Sequence, residues 1–256
     1  MHWIVAIIET FQATMAARFD DAERTATETF ELGSQIGESD VFSVFAAQIF
    51  VIGTFAGRHA DMLSLVEQSA RENPDLMVFR LAFGIICTTV DRHDEARAIL
   101  AEGVDQAFRH VPPDLWWMTT LIGYSIIAIE MEDASAAAML LPLIEPSAAE
   151  VSFNGATSQG PISAYVGKLH SLLGHHEHAD TYLRAALATA VSFGWHYHHA
   201  TALIDLARCR YRWHGRLDAE ALSWLEEAAT ICDEHGIRSW AARIVDLRND
   251  TSTATG

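Results

Sequence analysis

The chain has 256 residues, half of them hydrophobic and only 20% charged, so it can bury a large core and does not read as disordered. Its 34 acids against 17 bases leave a net charge of −17, and Lys168 is the only lysine. Nucleic acid and anionic membrane surfaces, which need several cationic contacts, are therefore disfavoured as direct partners.

Apolar residues recur at three- and four-residue spacing almost throughout, and no convincing alternating strand is visible. Proline is rare and falls at boundaries, so the pattern predicts about a dozen helices joined by short connections. The start lacks the basic segment and small-residue cleavage site of a signal peptide. It enters a helical pattern at once, with Trp3, Ile4, Ile7 and Ile8 on a face that would pack on an earlier repeat. The uncharged run 41–57 approaches membrane-spanning length but carries Ser43, Gln48 and Thr54. It is expected to be a buried helix instead.

One turn recurs: "ARFDDAERT", "GRHADMLSL", "DRHDEARAI", "MEDASAAAM", "GHHEHADTY" and "GRLDAEALS". In each, small or polar residues open the turn and acids suit the positive end of the next helix. A small residue then follows where helices cross closely. With Ala22, Met62, Ala96, Ala136, Ala179 and Ala221 as equivalents, the steps are 40, 34, 40, 43 and 42 residues. That period marks stacked helical hairpins, since one hairpin alone leaves a face unburied. Gly84 lies twelve residues before Ala96 and Gly167 twelve before Ala179, where a missing side chain lets the two helices of a hairpin touch.

Between the repeats, "PPDLWW" places Asp114 as an N-cap before Trp116 and Trp117. Adjacent helical residues point about 100° apart. One tryptophan is expected in the core and the other in a groove or interface. Residues 146–160, "PSAAEVSFNGATSQG", read as a long irregular loop with a turn at Asn154-Gly155. A loop of that length inside a compact repeat is a candidate binding element.

"HHEHAD", at 175–180, raises a metal site, because His176 and Asp180 stand at i, i+4. Zinc needs a third ligand, and the cluster His196, His198 and His199 is a helix of about 15 residues away, roughly 22 Å. A polar turn is the favoured reading, with no metal and no cofactor. In "HYHHA", His196 and His199 share a face that Tyr197 could extend. The first helices of solenoid hairpins line the concave surface. On them Arg80, Tyr165, Lys168, Arg208 and Arg212 form a candidate basic binding patch, with His199 beside it.

The turns, the Gly84/Ala96 and Gly167/Ala179 pairs, and the stretch from "YLRAALATAV" to "ICDEHGI" resemble tetratricopeptide-type repeats. More narrowly they resemble the helical C-terminal region of large bacterial signalling ATPases of the AAA/STAND type, which carry a cyclase or a LuxR-type DNA-binding domain. The repeats depart from the ordinary unit in lacking its closing proline and in Met62. The resemblance implies an all-α, right-handed α-solenoid of about six hairpins. It would form one domain over residues 1–247, with a disordered tail at 248–256.

It also implies a non-catalytic, cytoplasmic sensing or interaction module. Such a module would hold a protein or small-molecule effector on its concave face and act on an ATPase, cyclase or DNA-binding module. The chain is then a fragment or remnant of a longer regulator. Phosphate-loop, G-x-G-x-x-G and G-x-S-x-G motifs are absent; "GPISAYVGKL" has the wrong spacing, with Leu169 where a hydroxyl is needed. Three widely spaced cysteines, Cys87, Cys209 and Cys232, suit free buried thiols in a reducing compartment. Two alternatives stand beside this: a metal-assisted hydrolase at His176/Asp180, and a permanent assembly scaffold.

Overall fold

A computed structural model of the chain describes residues 2–74 and 76–253. Thirteen α-helices run through them. They pair in order as α1 (His2–Met15) with α2 (Phe19–Ile36), α3 (Val41–Ala56) with α4 (His59–Glu72), and α5 (Met77–Cys87) with α6 (His93–Asp105). The second half continues with α7 (Trp117–Glu130) and α8 (Ala134–Ile144), α9 (Ile162–Leu172) and α10 (His176–Phe193), and α11 (His196–His214) and α12 (Ala219–His235). A last helix, α13 (Ala241–Thr253), follows. The architecture is an all-α repeat solenoid of six hairpins, as the periodicity predicts. The helix continues to Thr253 through the segment expected as a tail, and residues 254–256 lie outside the described residues.

Each repeat-marking residue falls at the third or fourth position of the second helix of its hairpin. Ala22, Ala96, Ala136, Ala179 and Ala221 are fully buried there, because the crossing helix leaves no room for a longer side chain. The acids of the turns work as expected at two of them. Asp133 Oδ1 accepts from Ala136 N and Asp218 Oδ1 from Ala221 N, both at 2.9 Å, which satisfies orphan donors of the helix starts. Met62 is the exception, and Gly53 accommodates it: a Cβ on Gly53 would lie 2.0 Å from Met62 Sδ. At Gly167 a Cβ would meet Leu183 Cγ of α10 at 2.8 Å, the close contact within a hairpin that the spacing predicts. Gly84 serves two neighbours, since its Cβ would meet Ile127 of α7 as well as Ile99 of α6.

Two sequence expectations change. Residues 146–160 are not an irregular loop: they hold a short antiparallel hairpin, β1 (Val151–Phe153) and β2 (Ser158–Pro161), with a bulge at Ser152/Phe153. Strands of three and four residues are too short to show a two-residue period, which is why alternation was invisible. Asn154 Oδ1 holds the turn by accepting from the backbone N–H of Ala156 and Thr157 at 3.1 and 2.8 Å. The second change concerns α3. Its apolar run is only partly buried, with Phe42 57% exposed, because much of it faces an interior space rather than the core.

The packing closes the solenoid on itself. The core of α10 to α13 also takes in Met15, Ala17, Val51 and Phe55 from the first two hairpins. Phe55 stacks on Tyr197 of α11 at 3.8 Å, and Ser239 Oγ donates to the Phe55 carbonyl at 3.2 Å. Gly57, at φ +79°, makes this junction possible; a Cβ there would lie 2.6 Å from Ser239 N. Gln48 Nε2 adds a bond to the Ala156 carbonyl at 3.4 Å, tying α3 to the β-hairpin. Among the described residues no helix is long and apolar enough to cross a membrane. All three cysteines are free and buried.

Candidate functional site

Closure leaves a cavity of about 1370 Å³ between the first helices of the hairpins, the β-hairpin and the start of α13. This is larger than the roughly 300–1,000 Å³ of a site for a drug-sized molecule. Its outer parts are apolar and solvent-exposed, with Ile4, Phe42, Leu65, Leu76 and Leu115 each at least 46% exposed. Trp116 lines it while Trp117 packs into the neighbouring core, the division expected of adjacent helical residues. Asp114 Oδ1 accepts from Trp116 N at 2.8 Å and so fixes the entry into α7.

The deeper wall is charged. Lys168 Nζ lies 4.4 Å from the centre of the Tyr165 ring and 3.5 Å from Asp205 Oδ2. Tyr165 OH is held by donating to the Gln159 carbonyl at 2.8 Å, so the β-hairpin sets the ring on which the lysine rests. Glu130, at the end of α7, receives both terminal nitrogens of Arg243 from α13, one at 3.1 Å. Burial pushes the Glu130 carboxyl up, but the charge and hydrogen bond of Arg243, with Arg208 and Lys168, outweigh it and hold the group below its usual range. Arg208 and Arg212 stand one turn apart on α11 and share Glu132. Burial pulls the Arg208 guanidinium below its usual value, helped by the charges of Arg212 and Arg243. The network thus sets Lys168, Arg208, Arg212 and Arg243 against Asp205, Glu130 and Glu132. The charged side chains of the lining itself are Lys168 and Arg243 against Asp40, Asp114, Glu130 and Asp246.

Beside this network His198, a residue of the lining, is 6% exposed, and its Nε2 is buried without a hydrogen-bond partner. Burial, reinforced by the Lys168 charge, pushes its pKa down to about 3, so the ring is neutral near pH 7. Gly160, at φ +85°, gives it room: a Cβ would lie 2.4 Å from His198 Cε1. Other residues of the lining likewise carry a buried, unpartnered atom packed away from the open space, among them Trp3 Nε1, Thr54 Oγ1, His110 Nδ1 and Trp240 Nε1.

The sequence-chosen residues divide. Tyr165 and Lys168 line the cavity, whereas Arg208 and Arg212 lie outside the lining and pair with Glu132. Arg80 pairs with Glu102 of α6 and His199 with Glu227 of α12 at 3.1 Å, both outside the lining. His196 stacks on His235 rather than joining Tyr197 and His198, which turn inward. Sequence reasoning missed His198, Glu130 and Arg243. For His198 a signal existed in its place one turn before the buried Ala202, but helical spacing alone gives no partner for the other two.

At the other histidine cluster, Asp180 goes to Arg184 at 2.8 Å and to Arg210 at 3.6 Å, and the His176 ring stacks on Trp213. His170 occupies the centre of this surface, bonded to Glu145 and His175 at 3.0 and 3.2 Å. Among the described residues no group of three His, Cys, Asp or Glu side chains could hold a metal ion.

No protein-family model matches the chain, and no curated protein matches it. Among solved structures it is similar to a Rap protein complexed with competence and sporulation factor, with a TM-score of 0.57 and 16% sequence identity. The likeness covers 96% of this chain and 69% of that one. At that identity it speaks for the fold, a tetratricopeptide-like helical repeat.

Proposed function

We propose that this chain is a non-catalytic, cytoplasmic sensing module that takes an effector into its interior cavity. Through it the effector regulates an ATPase, cyclase or DNA-binding module of the same or another chain, in a bacterial signalling or transcription regulator. The observation that carries the reading is the cavity of about 1370 Å³, lined by residues from both ends of the solenoid. The regulatory context rests on the resemblance of the repeats to those of signalling ATPases. A protein of the same fold that is seen complexed with competence and sporulation factor adds support for ligand holding by such repeats.

Closure supplies the coupling. The cavity wall comes from both ends of the solenoid, with Thr54 and Phe55 from α3 and Tyr197, Ser239 and Arg243 from the C-terminal part. A ligand touching both ends favours the closed ring over an opened one by its difference in affinity for the two. A partner module that reads the outer surface of either end then senses occupancy.

The neutral, environment-sensitive probe N-phenylnaphthylamine tests this. It should bind at one site per chain with a rise in fluorescence, and Thr119→Trp, which places a large ring in the cavity lining, should abolish the rise. A folded wild-type chain that leaves the probe dark would overturn the reading.

A further inference from the structure

The charges of the lining name a class of ligand, an inference that rests on the effector reading above. Both cations of the lining are already matched: Lys168 lies 3.5 Å from Asp205 Oδ2, and Arg243 pairs with Glu130. Asp40, Asp114 and Asp246, also of the lining, are exposed and have no basic side chain within ion-pairing distance among the described residues. Two of them have neutral contacts: Ser39 Oγ donates to Asp40 Oδ1 at 3.2 Å, and Trp116 N to Asp114 Oδ1 at 2.8 Å. Three negative charges therefore stand uncompensated at the cavity, just before α3, just before α7 and on α13. Apolar groups of the same lining follow two of them in the chain. Phe42 comes two residues after Asp40, and Leu115 and the partly exposed Trp116 come directly after Asp114. Carboxylates and aromatic faces both attract a cation.

We infer that the cavity binds an amphiphilic organic cation, one ammonium on a long apolar body, its charge met by Asp40, Asp114 and Asp246 and its body by Phe42, Leu65, Leu76 and Leu115. Each of those four apolar side chains is at least 46% exposed, so a guest that covers them takes apolar surface out of water. A fatty acid, a nucleotide or a phosphorylated sugar would meet three like charges and no unmatched cation of the lining. A peptide suits the space less well, because an apolar wall offers few partners for its backbone N–H and C=O groups.

Displacement of N-phenylnaphthylamine by dodecylammonium, dodecanol and dodecanoate at pH 7, in low salt and below micelle-forming concentrations, compares three ligands of one chain length. Dodecylammonium should compete about fivefold or more better than the alcohol, and dodecanoate worse than either. Added salt should narrow the spread, since the three carboxylates are exposed. The triple variant Asp40→Asn, Asp114→Asn, Asp246→Asn should bring the amine and the alcohol to equality. Asparagine keeps the acceptor that Trp116 N uses, and a melting curve shows that the variant is folded. A control triple, Glu31→Gln, Asp105→Asn, Glu234→Gln, removes the same charge from exposed positions outside the lining and should keep the preference. Equal loss in both triples would reduce the preference to the field of an acidic chain and overturn the inference. So would dodecylammonium that leaves the probe in place while an apolar pentapeptide with a free amino end displaces it, which would assign the cavity to a peptide. Equal displacement by amine, alcohol and acid in the wild type overturns the inference and leaves the effector reading standing. A probe that never binds removes the effector reading itself.

Discussion

Phe55 of the third helix lies flat on Tyr197 of the eleventh, with ring centres 3.8 Å apart and planes within 8°. That stack joins parts of the chain separated by more than half its length and holds the solenoid as a ring. Phe55→Ala should cost about 3 kcal/mol, the usual loss for a buried aromatic, while Phe55→Leu should cost less than half of that. Urea unfolding gives the totals. Hydrogen exchange should show where the loss falls, with faster exchange in α3 and in the turn before α13 and little change in α7 and α8.

Gly160→Ala tests the placement of His198. The added methyl meets the imidazole, and the residue must also keep φ +85°, where a Cβ is disfavoured. The two effects together should cost roughly 2–3 kcal/mol.

The fold was legible in the sequence because it is local. Ala22, Ala96, Ala179 and their equivalents recur where sterics admit only a small side chain, and twelve-residue spacing to Gly167 reports one helix touching the next. The site was legible in part. Tyr165, Lys168, Arg208 and Arg212 stood out as cations and an aromatic on first helices; the first two line the cavity, while the arginines pair with Glu132 outside it. The pairing of Glu130 with Arg243 spans more than a hundred residues and depends on ring closure, which no periodicity encodes. Arg80 and His199 looked equivalent to the others, yet each found an acid on its own hairpin. The β-hairpin read as a loop because its strands are shorter than the period that would reveal them.

Removing one end of the Glu130–Arg243 pair should be worse than removing both. Arg243→Met leaves a carboxylate in the wall with its main partner gone, a loss of about 2 kcal/mol for a site that is not completely dry. Adding Glu130→Leu should recover most of it. A double-mutant cycle by urea denaturation gives the coupling, and additive losses would show that the pair contributes little to closure.

Stability should fall on mild acidification. His198 is held near a pKa of about 3 in the fold by burial and Lys168, whereas an unfolded histidine titrates near 6.5. Below about pH 6.5 the unfolded chain therefore takes up a proton that the native state refuses, so the stabilising difference is present above 6.5 and is lost as pH falls toward 3. His59, His176 and His196 are also lowered, mainly by burial, and act in the same direction. Urea midpoints should decline from pH 7 to pH 5, and His198→Phe should flatten that slope.

The most direct measurement is native mass spectrometry of untagged protein, before and after mild denaturation. The account predicts one non-covalent guest per chain, released on unfolding and lost in Thr119→Trp. A bare mass from protein that also fails to bind N-phenylnaphthylamine would contradict it.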